Sequence, residues 1–282
     1  MYGVGGERRL TEESLDYLEG YRGARPVRVG NAAAGQLQLD MYGELLELSW
    51  RWHRRGNSPD EDYWRFLVEL VDAAERWAEP DQGLWEMRGE PQHFVHSKVM
   101  CWATLNRGLR LAQECLRKAP ETRWKKVREE IREAIDSEGY DEGRGVFTQS
   151  FGGKDLDAAL LLIPRVDFID YRDERMLRTT NAIREDLDDE GLLKRYRSEG
   201  QQEGAFLPCS FWLVECLAHQ GRTEDAQAVF DRTLATSNDL GLFSEEYDTQ
   251  AREPLGNFPQ GLTHLSHISA AVALADHPQR GL

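Results

Sequence analysis

The spacing of apolar residues constrains the fold of this chain more than any other feature, because it is helical along most of the 282 residues. Almost no run of strict alternation is long enough for a half-buried strand, which repeats every two residues. The sequence therefore predicts a nearly all-α protein. The predicted helices lie at residues 31–55, 60–78, 95–118, 121–136, 155–164, 173–187, 206–219, 222–237 and 259–275.

The predicted helices alternate in character along the chain. Four are apolar nearly all round, namely 95–118, 155–164, 206–219 and 259–275. Four others carry strongly charged faces, namely 60–78, 121–136, 173–187 and 222–237. A helix that is apolar on every side is buried, whereas one with a single apolar stripe lies at the surface. The pattern predicts an inner layer of helices ringed by an outer layer, which is an α/α toroid.

The connections between the predicted helices also alternate. Short turns at residues 56–59, 118–120 and 220–222 join antiparallel pairs, and Thr223 is the expected N-cap of the helix after the last of them. The other connections are long and rich in glycine, aromatic and charged residues. Because binding and catalytic residues are usually carried by long loops on a rigid scaffold, we expect the functional site at the end of the toroid where these loops lie.

Charge and cysteine content exclude several classes of protein. A formal net charge of −15 would repel nucleic acid and anionic membrane surfaces, so a neutral or cationic ligand is expected. The four cysteines lie in apolar helical stretches without a CxxC spacing, which indicates free thiols in a reducing compartment. No secretory signal or membrane-spanning run is present in the sequence, so we expect a soluble, cytoplasmic protein. We expect no cofactor.

The long loops combine carboxylates with aromatic residues. This composition marks residues 83–90, 194–203 and 242–248. Aromatic faces pack on the apolar side of a sugar ring, while carboxylates and guanidinium groups bind its hydroxyls. Two carboxyl groups on opposite faces of a glycosidic bond can also hydrolyse it by acid and base catalysis. A Glu in a loop is more often only a solvated residue, so this composition alone leaves both interpretations open.

Seven stretches, in order along almost the whole chain, resemble glycoside hydrolase family 15, the family of glucoamylases, glucodextranases and bacterial trehalases. They are NAAAGQLQLD at 31–40, GLWEMRGEP at 83–91, HSK at 96–98, FTQSFGGKD at 147–155, GAFLPCSFW at 204–212, NDLGLFSEEYD at 238–248 and GNFPQ at 256–260. The resemblance implies an all-α, six-pair toroid, (α/α)6, of the six-hairpin glycosidase type. It also implies hydrolysis with inversion at the anomeric carbon.

The resemblance assigns roles to individual residues. The family's general acid follows Trp in the Leu-Trp-Glu motif and corresponds to Glu86, and its general base corresponds to Glu245. Arg195 matches a family arginine that binds sugar hydroxyls. The complete set of expected substrate-binding residues is Trp85, Arg88, Glu90, His93, Lys98, Lys154, Asp155, Arg195 and Tyr247. For the charged members of this set the competing interpretation is that they form ion pairs which anchor the loops, and for Trp85 that it anchors its own loop.

Two patterns suggest other chemistry. His93 and His96, like His264 and His267, are spaced three residues apart as metal ligands can be, but no third ligand set accompanies them, so no metal site is predicted. The Asp-x-Asp-Asp pattern at residues 186–189 occurs in proton-initiated terpene cyclases, which are also α/α barrels. It is better interpreted as the solvated C-terminus of a charged helix.

Family members of this bacterial type normally carry an N-terminal β-rich domain and further toroid helices, neither of which we find in this sequence. We therefore expect residues 1–282 to form a single catalytic domain that is incomplete at its N-terminal side. The leading hypothesis is an exo-acting, inverting hydrolase of an α-glucoside, either a small molecule or an oligosaccharide, of the trehalase or glucoamylase type. The alternatives are an inactive or partner-completed toroid fragment that self-associates or binds a missing segment, and a different α/α-toroid enzyme.

Overall fold

The computed structural model describes residues 3–197 and 203–276. Residues 198–202, which belong to the loop predicted at 194–203, lie outside the described residues. Eight α-helices are found in the described part of the chain: α1 Asp40–Arg54, α2 Glu61–Ala73, α3 Val95–Glu114, α4 Glu121–Glu138, α5 Glu174–Asp186, α6 Leu207–His219, α7 Thr223–Leu234 and α8 Gly261–Asp276. Four 3-10 helices accompany them, at Tyr21–Gly23, Ala32–Gly35, Ala74–Ala78 and Ala158–Val166. The prediction of a nearly all-α protein is confirmed.

The strands are short and belong to loops. β1 Glu13–Ser14 pairs with β2 Arg28–Val29, β3 Tyr140–Asp141 with β4 Val146–Phe147, and β5 Asp188–Asp189 with β6 Leu192–Leu193. β7 Ala205–Phe206, β8 Glu246–Asp248 and β9 Glu253–Leu255 form a three-stranded antiparallel sheet. β8 belongs to the loop that the sequence marked at 242–248, and β7 follows shortly after the loop marked at 194–203.

Several predicted boundaries differ from the structure for local reasons. The helix predicted at 31–55 is two elements, because Gln36 is extended and separates the 3-10 helix Ala32–Gly35 from α1. The segment predicted at 155–164 is a 3-10 helix that begins after Asp157 and contains Pro164, which has no N–H to donate. Thr223 is not the N-cap that we expected, since α7 begins at Thr223 itself and Arg222 precedes it.

The helices form two layers. The inner series is α1, α3, the 3-10 helix Ala158–Val166, α6 and α8, each packed against the next. The outer helices α4, α5 and α7 bury one apolar stripe each. Most side chains of α3 and α6 are buried, as expected for helices that are apolar nearly all round. The layering is that of an (α/α)6 toroid, but the inner series does not close into a barrel within the described residues.

α8 was also expected to be buried on all sides, but one of its faces is exposed. It contacts α6 through small residues, of which Thr263, Ser266, Ala270 and Ala273 are buried. Its bulky apolar side chains lie on the opposite face and are exposed, namely Leu262, Leu265, Ile268 and Val272. α1, at the other end of the inner series, exposes Met41, Leu48 and Trp52. Both ends of the open ring therefore present apolar faces to solvent.

Candidate active site

A cavity of about 550 Å³ lies where the long loops meet. Its walls come from the N-terminal segment, from the loop that carries Trp85 and Glu86, and from Arg195, Tyr196 and Glu203. Its size and its mixture of aromatic and charged lining fit a small, polar ligand. The cavity therefore joins two of the loops that the sequence singled out.

The loop that carries Glu86 is closed at its base and strained at its tip. Asp81 and Gln92 exchange two backbone hydrogen bonds of 2.9 Å, which close the loop at its two ends. Glu86 has a φ of 53°, in the left-handed region that costs a residue with a side chain about 1 kcal/mol. Its N–H donates to the carbonyl of Gly83 at 3.2 Å. Strain of this kind persists only where surrounding contacts fix it, and it is common at functional sites.

Trp85 is fixed by a buried carboxylate. Its indole Nε1 lies 2.9 Å from each carboxylate oxygen of Asp157 and donates to them. The ring packs against Phe206 and Trp212, with centroid separations of 5.3 and 5.8 Å. Trp85 also lines the cavity. Both interpretations of this residue thus describe its position, because it anchors the loop and forms part of the cavity wall.

Asp157 is a residue that the sequence analysis did not single out. It is buried, accepts from the backbone N–H of Ala159 at 2.7 Å and from Nε2 of Gln149 at 3.1 Å, and is the N-cap of the 3-10 helix Ala158–Val166. Burial raises the pKa of Asp157, and these hydrogen bonds partly oppose that shift. An Asp directly before an apolar helical run is a recognisable N-cap signal, which predicts the capping role but not the contact with Trp85.

Arg195 lines the cavity and lies between aromatic rings and a carboxylate. It forms a bidentate ion pair with Glu203, at 3.1 Å from Nε and 2.6 Å from Nη2. Its guanidinium lies 5.8 Å from the ring centroid of Trp85, 5.1 Å from that of Tyr196 and 5.5 Å from that of Phe206. Burial acts to lower the pKa of Arg195, but the hydrogen bonds to Glu203 and the nearby negative charges outweigh it and raise the pKa. The arginine is held rigidly as a cation beside the cavity.

Glu245 immediately precedes β8, in contact with the loop that carries Gly256 and Asn257. Its Oε2 accepts 3.0 Å hydrogen bonds from both the backbone N–H and the side-chain Nδ2 of Asn257. Its own backbone is paired on both sides, with Asn257 at 2.9 Å and Leu207 at 3.1 Å. These contacts fix the direction of the carboxylate.

Glu246 and Glu203 add two further carboxylates that the sequence analysis did not assign. Glu246 accepts from the backbone N–H of Gly204 at 3.3 Å and lies opposite Phe206 in the sheet. Burial raises the pKa of Glu246, the charge of Arg195 opposes that shift, and Glu203 adds to it. Glu203 and Glu246 therefore both interact with Arg195, although their environments differ.

A continuous chain of contacts connects the surroundings of Glu86 and Glu245. Trp85, which precedes Glu86, packs edge-on against Phe206 of β7. β7 pairs with β8, so that Phe206 lies opposite Glu246, the neighbour of Glu245. Glu86 lines the cavity, whereas Glu245 is not among its lining residues and lies directly before β8, the middle strand of the sheet. The two glutamates, 159 positions apart in sequence, are thus brought to the same end of the helical layers.

Four other expected binding residues lie in the loop that carries Glu86 or shortly after it, and Lys98 belongs to the first turn of α3. Arg88 forms a bidentate ion pair with Glu12 at 3.0 Å, and this contact raises the pKa of Arg88. Glu90 is exposed. His93 stacks on Phe151, and burial lowers its pKa. Lys98 is fully buried and donates to the backbone carbonyl of Glu79. Of these four only Arg88 lines the cavity. Arg88 makes an ion pair of the kind that the competing interpretation expects, whereas Lys98 contacts a backbone carbonyl and not a carboxylate.

The remaining three expected binding residues lie elsewhere. Lys154 and Asp155 are exposed, and their backbone carbonyls accept hydrogen bonds from Arg144 and Gln149. Tyr247 lines a separate cavity of about 280 Å³ between α7 and the sheet, together with Arg232. Successive residues of a strand point to opposite faces, so Tyr247 and Glu246 are directed to different sides of the sheet.

The alternative motifs take other positions. Among the described residues, no group of three or more His, Cys, Asp and Glu side chains is arranged to hold a metal ion. Asp186 ends α5, and Asp188 and Asp189 form strand β5 of a hairpin, away from the cavity. Three of the four free cysteines are buried and Cys115 is half-buried. No helix in the described ranges is long and apolar enough to cross a membrane.

Comparison with known proteins identifies the family. The sequence pattern of the glycosyl hydrolases family 15 matches residues 1–272. The chain belongs to this family. Similar proteins include a trehalase of Mycobacterium tuberculosis, 43% identical over 279 residues, and a trehalase of Thermoplasma volcanium, 38% identical over 281 residues. The alignments cover 96% and 98% of this chain but 41% and 45% of those proteins, so the chain spans less than half of their length.

Solved structures support the same fold for this family 15 chain. A glycosidase in complex with glucose matches with a TM-score of 0.76 at 22% identity, over 91% of this chain and 73% of that protein. A glucoamylase from Saccharomycopsis fibuligera matches with a TM-score of 0.73 at 10% identity, over 86% and 71% of the two chains. The predicted fold class, an (α/α)6 toroid, is confirmed, and the ring is not closed within the described residues.

Proposed function

We propose that this chain carries the catalytic carboxyl groups of an inverting, exo-acting α-glucoside hydrolase, and that its substrate is trehalose. The observation that carries the proposal is that Glu86 lines a cavity of sugar size together with Trp85 and Arg195. The names of the curated relatives favour trehalose over longer glucans. The structures of glucoamylases, which are less than 25% identical, support the fold alone.

In the proposed mechanism Glu86 is the general acid. Its protonated carboxyl group donates a proton to the glycosidic oxygen as the bond to the anomeric carbon breaks. Trp85 offers the apolar face on which a pyranose ring packs, and Arg195 offers N–H donors to sugar hydroxyls. Because Asp157 and Glu203 hold these two side chains, the sugar meets a wall that is already ordered.

Glu245 is the proposed general base. Its carboxylate accepts a proton from a water molecule, which attacks the anomeric carbon from the face opposite the leaving group. The two donors of Asn257 engage Oε2, and Oε1 is the oxygen that we assign to the water. Inverting enzymes separate the two carboxyl groups by about 6.5–9.5 Å, and we expect this range between Glu86 and Glu245 when the substrate is bound.

Anomer-resolved NMR tests the mechanism. An inverting enzyme releases equal amounts of α- and β-glucose from α,α-trehalose, because only the attacked ring inverts. We expect Glu86→Gln and Glu245→Gln each to lower kcat by about 10²–10⁴-fold. The melting temperature should change little, and Glu224→Gln on the exposed face of α7 is the matched control. Initial release of α-glucose alone, or parental kcat in either variant, would exclude the assignment.

The exposed apolar faces of α1 and α8 favour a second candidate function. We propose that further helices pack on these two faces and complete the ring, so that this chain is one part of an assembled catalytic domain. The support is that the two faces lie at the two ends of the open inner series, and that the chain spans less than half of its curated relatives. In this case the chain alone is a binding module, and hydrolysis belongs to the completed ring.

A further inference from the structure

Gln36 contacts the loop that carries Glu86 from a segment 50 residues earlier in the sequence. Its side-chain Nε2 lies 3.1 Å from the carbonyl oxygen of Met87 and 3.4 Å from that of Glu86. Both partners are carbonyl oxygens, which only accept, so the amide nitrogen rather than the amide oxygen must face them. Gln36 also lines the cavity beside Glu86.

The contact falls on the strained part of the loop. Glu86 is in the left-handed conformation, and the two carbonyl groups that Gln36 binds are those of Glu86 and of the residue after it. At the base of the loop, Leu37 and Gln82 exchange hydrogen bonds of 3.1 and 3.2 Å. Residues 36 and 37 therefore run alongside the loop, and Gln36 reaches its tip while Leu37 holds its base.

We propose that Gln36 is a positioning residue for the general acid. By donating to the consecutive carbonyl groups of Glu86 and Met87, it holds the left-handed turn and thereby the direction in which the Glu86 carboxyl enters the cavity. This inference rests on the proposed role of Glu86. It assigns to Gln36 no contact with the reacting atoms.

Hydrogen exchange tests the positioning role without depending on activity. Gln36→Met keeps the length of the side chain and removes both donors. We expect the amide hydrogens of Glu86 and Met87 to exchange at least about tenfold faster in this variant, because the turn opens more often. The amide hydrogens of α3 should be unchanged. Gln227→Met, which removes a Gln–Asp hydrogen bond on the exposed face of α7, is the matched control. Unchanged exchange at Glu86 and Met87 would overturn the inference.

Leaving-group dependence tests the connection to the acid. Fluoride leaves without protonation, so loss of the general acid slows trehalose hydrolysis much more than hydrolysis of α-glucosyl fluoride. We expect Gln36→Met, and the isosteric Gln36→Glu, to lower kcat on trehalose by about 10–100-fold and kcat on the fluoride by less than about threefold. A structural defect would lower both rates equally, which would contradict the inference.

The same assay separates the inference from the proposal on which it rests. If Glu86→Gln lowers both rates equally, the assignment of Glu86 as acid fails. If Glu86→Gln shows the leaving-group difference and the Gln36 variants do not, Gln36 does not position the acid and only the inference fails. The kinetic assay uses the chain alone if it hydrolyses trehalose, and otherwise the chain together with the helices that complete the ring. The exchange experiment uses the 282-residue chain.

Discussion

The position of the Glu245 side chain depends on a glycine at residue 256. Gly256 has a φ of 69°, and a Cβ atom at this position would lie 2.7 Å from Oε2 of Glu245 and 3.0 Å from its Cβ. The carboxylate therefore occupies the space where a side chain of residue 256 would be. Asn257, the next residue, supplies both hydrogen bonds to the same oxygen. The glycine lets the backbone approach closely enough for these bonds to form.

Gly256→Ala should displace the Glu245 carboxylate. We expect kcat on trehalose to fall about tenfold or more, because a small misplacement of a catalytic group is costly. The left-handed backbone alone should lower the free energy of unfolding by about 1–2 kcal/mol. Steady-state kinetics and urea unfolding measure the two effects.

Gly241→Ala is the matched control for this prediction. Gly241 has a φ of 73° in the same loop region, and a Cβ atom there would meet nothing within 4 Å. Gly241→Ala should lower the free energy of unfolding by a similar amount and leave kcat unchanged. An equal loss of kcat in both variants would show that backbone strain, and not contact with Glu245, limits activity.

α1 and α8 differ from the other inner helices in what covers them. α3 and α6 are enclosed by neighbours on all sides, whereas α8 buries only small residues against α6 and exposes a stripe of branched apolar side chains. The stripe repeats every three to four residues, which is the pattern of a helix face that packs against another helix. Exposed apolar faces of this kind usually mark an interaction surface. The geometry of α8 is thus that of an inner helix that packs on α6 and α7 and leaves one apolar face exposed.

Polar substitutions on the exposed face of α8 should affect assembly and not the stability of the chain. Leu265 is 65% exposed and Ile268 is 56% exposed. We expect Leu265→Gln with Ile268→Gln to change the free energy of unfolding by less than about 0.5 kcal/mol, since both side chains already contact solvent. Association of the chain with itself or with a ring-completing segment should be lost, as measured by sedimentation velocity.

Leu240→Gln provides the comparison, because Leu240 is 76% exposed but lies outside any helix. This variant should assemble like the parent. If the double variant of α8 assembles as the parent does, or if it loses several kcal/mol of stability, the face is not the edge of an open ring.

For the molecule as a whole, the sequence predicted the layers better than the site. Strong helical periodicity placed seven of the eight α-helices near their observed bounds, and α1 was merged with the 3-10 helix before it only because Gln36 gives no sign of its extended backbone. The proposed catalytic residues Glu86 and Glu245 were assigned through motifs. The side chains that hold the site, such as Gln36 and Asp157, act on partners 50 to 72 positions away. Local spacing carries no information about such contacts, so only the folded chain reveals them.

A buried carboxyl group couples the stability of the whole fold to pH. Asp40, at the start of α1, has a pKa that burial, and then the nearby Asp81, raises to about 7 from its ordinary 3.8. Folding therefore favours the protonated form, so the contribution of Asp40 to stability is complete below pH 3.8 and is lost as the pH rises through 7. Buried His96 acts in the opposite sense, because burial lowers its pKa from 6.5 to about 4 and its contribution is lost as the pH falls through that range.

Asp40→Asn should remove the dependence of stability on pH that Asp40 causes and leave the opposing dependence caused by His96. The amide resembles the protonated carboxyl, and His96 is the same in both proteins, so its effect cancels in the comparison. We expect the free energy of unfolding of the variant, minus that of the parent, to increase by at least about 1 kcal/mol between pH 5 and pH 8. Urea unfolding at several pH values measures this difference, with exposed Asp239→Asn as the control. A difference that stays constant over this range would mean that Asp40 is already ionised in the folded chain at pH 5, with its charge compensated by the groups around α1.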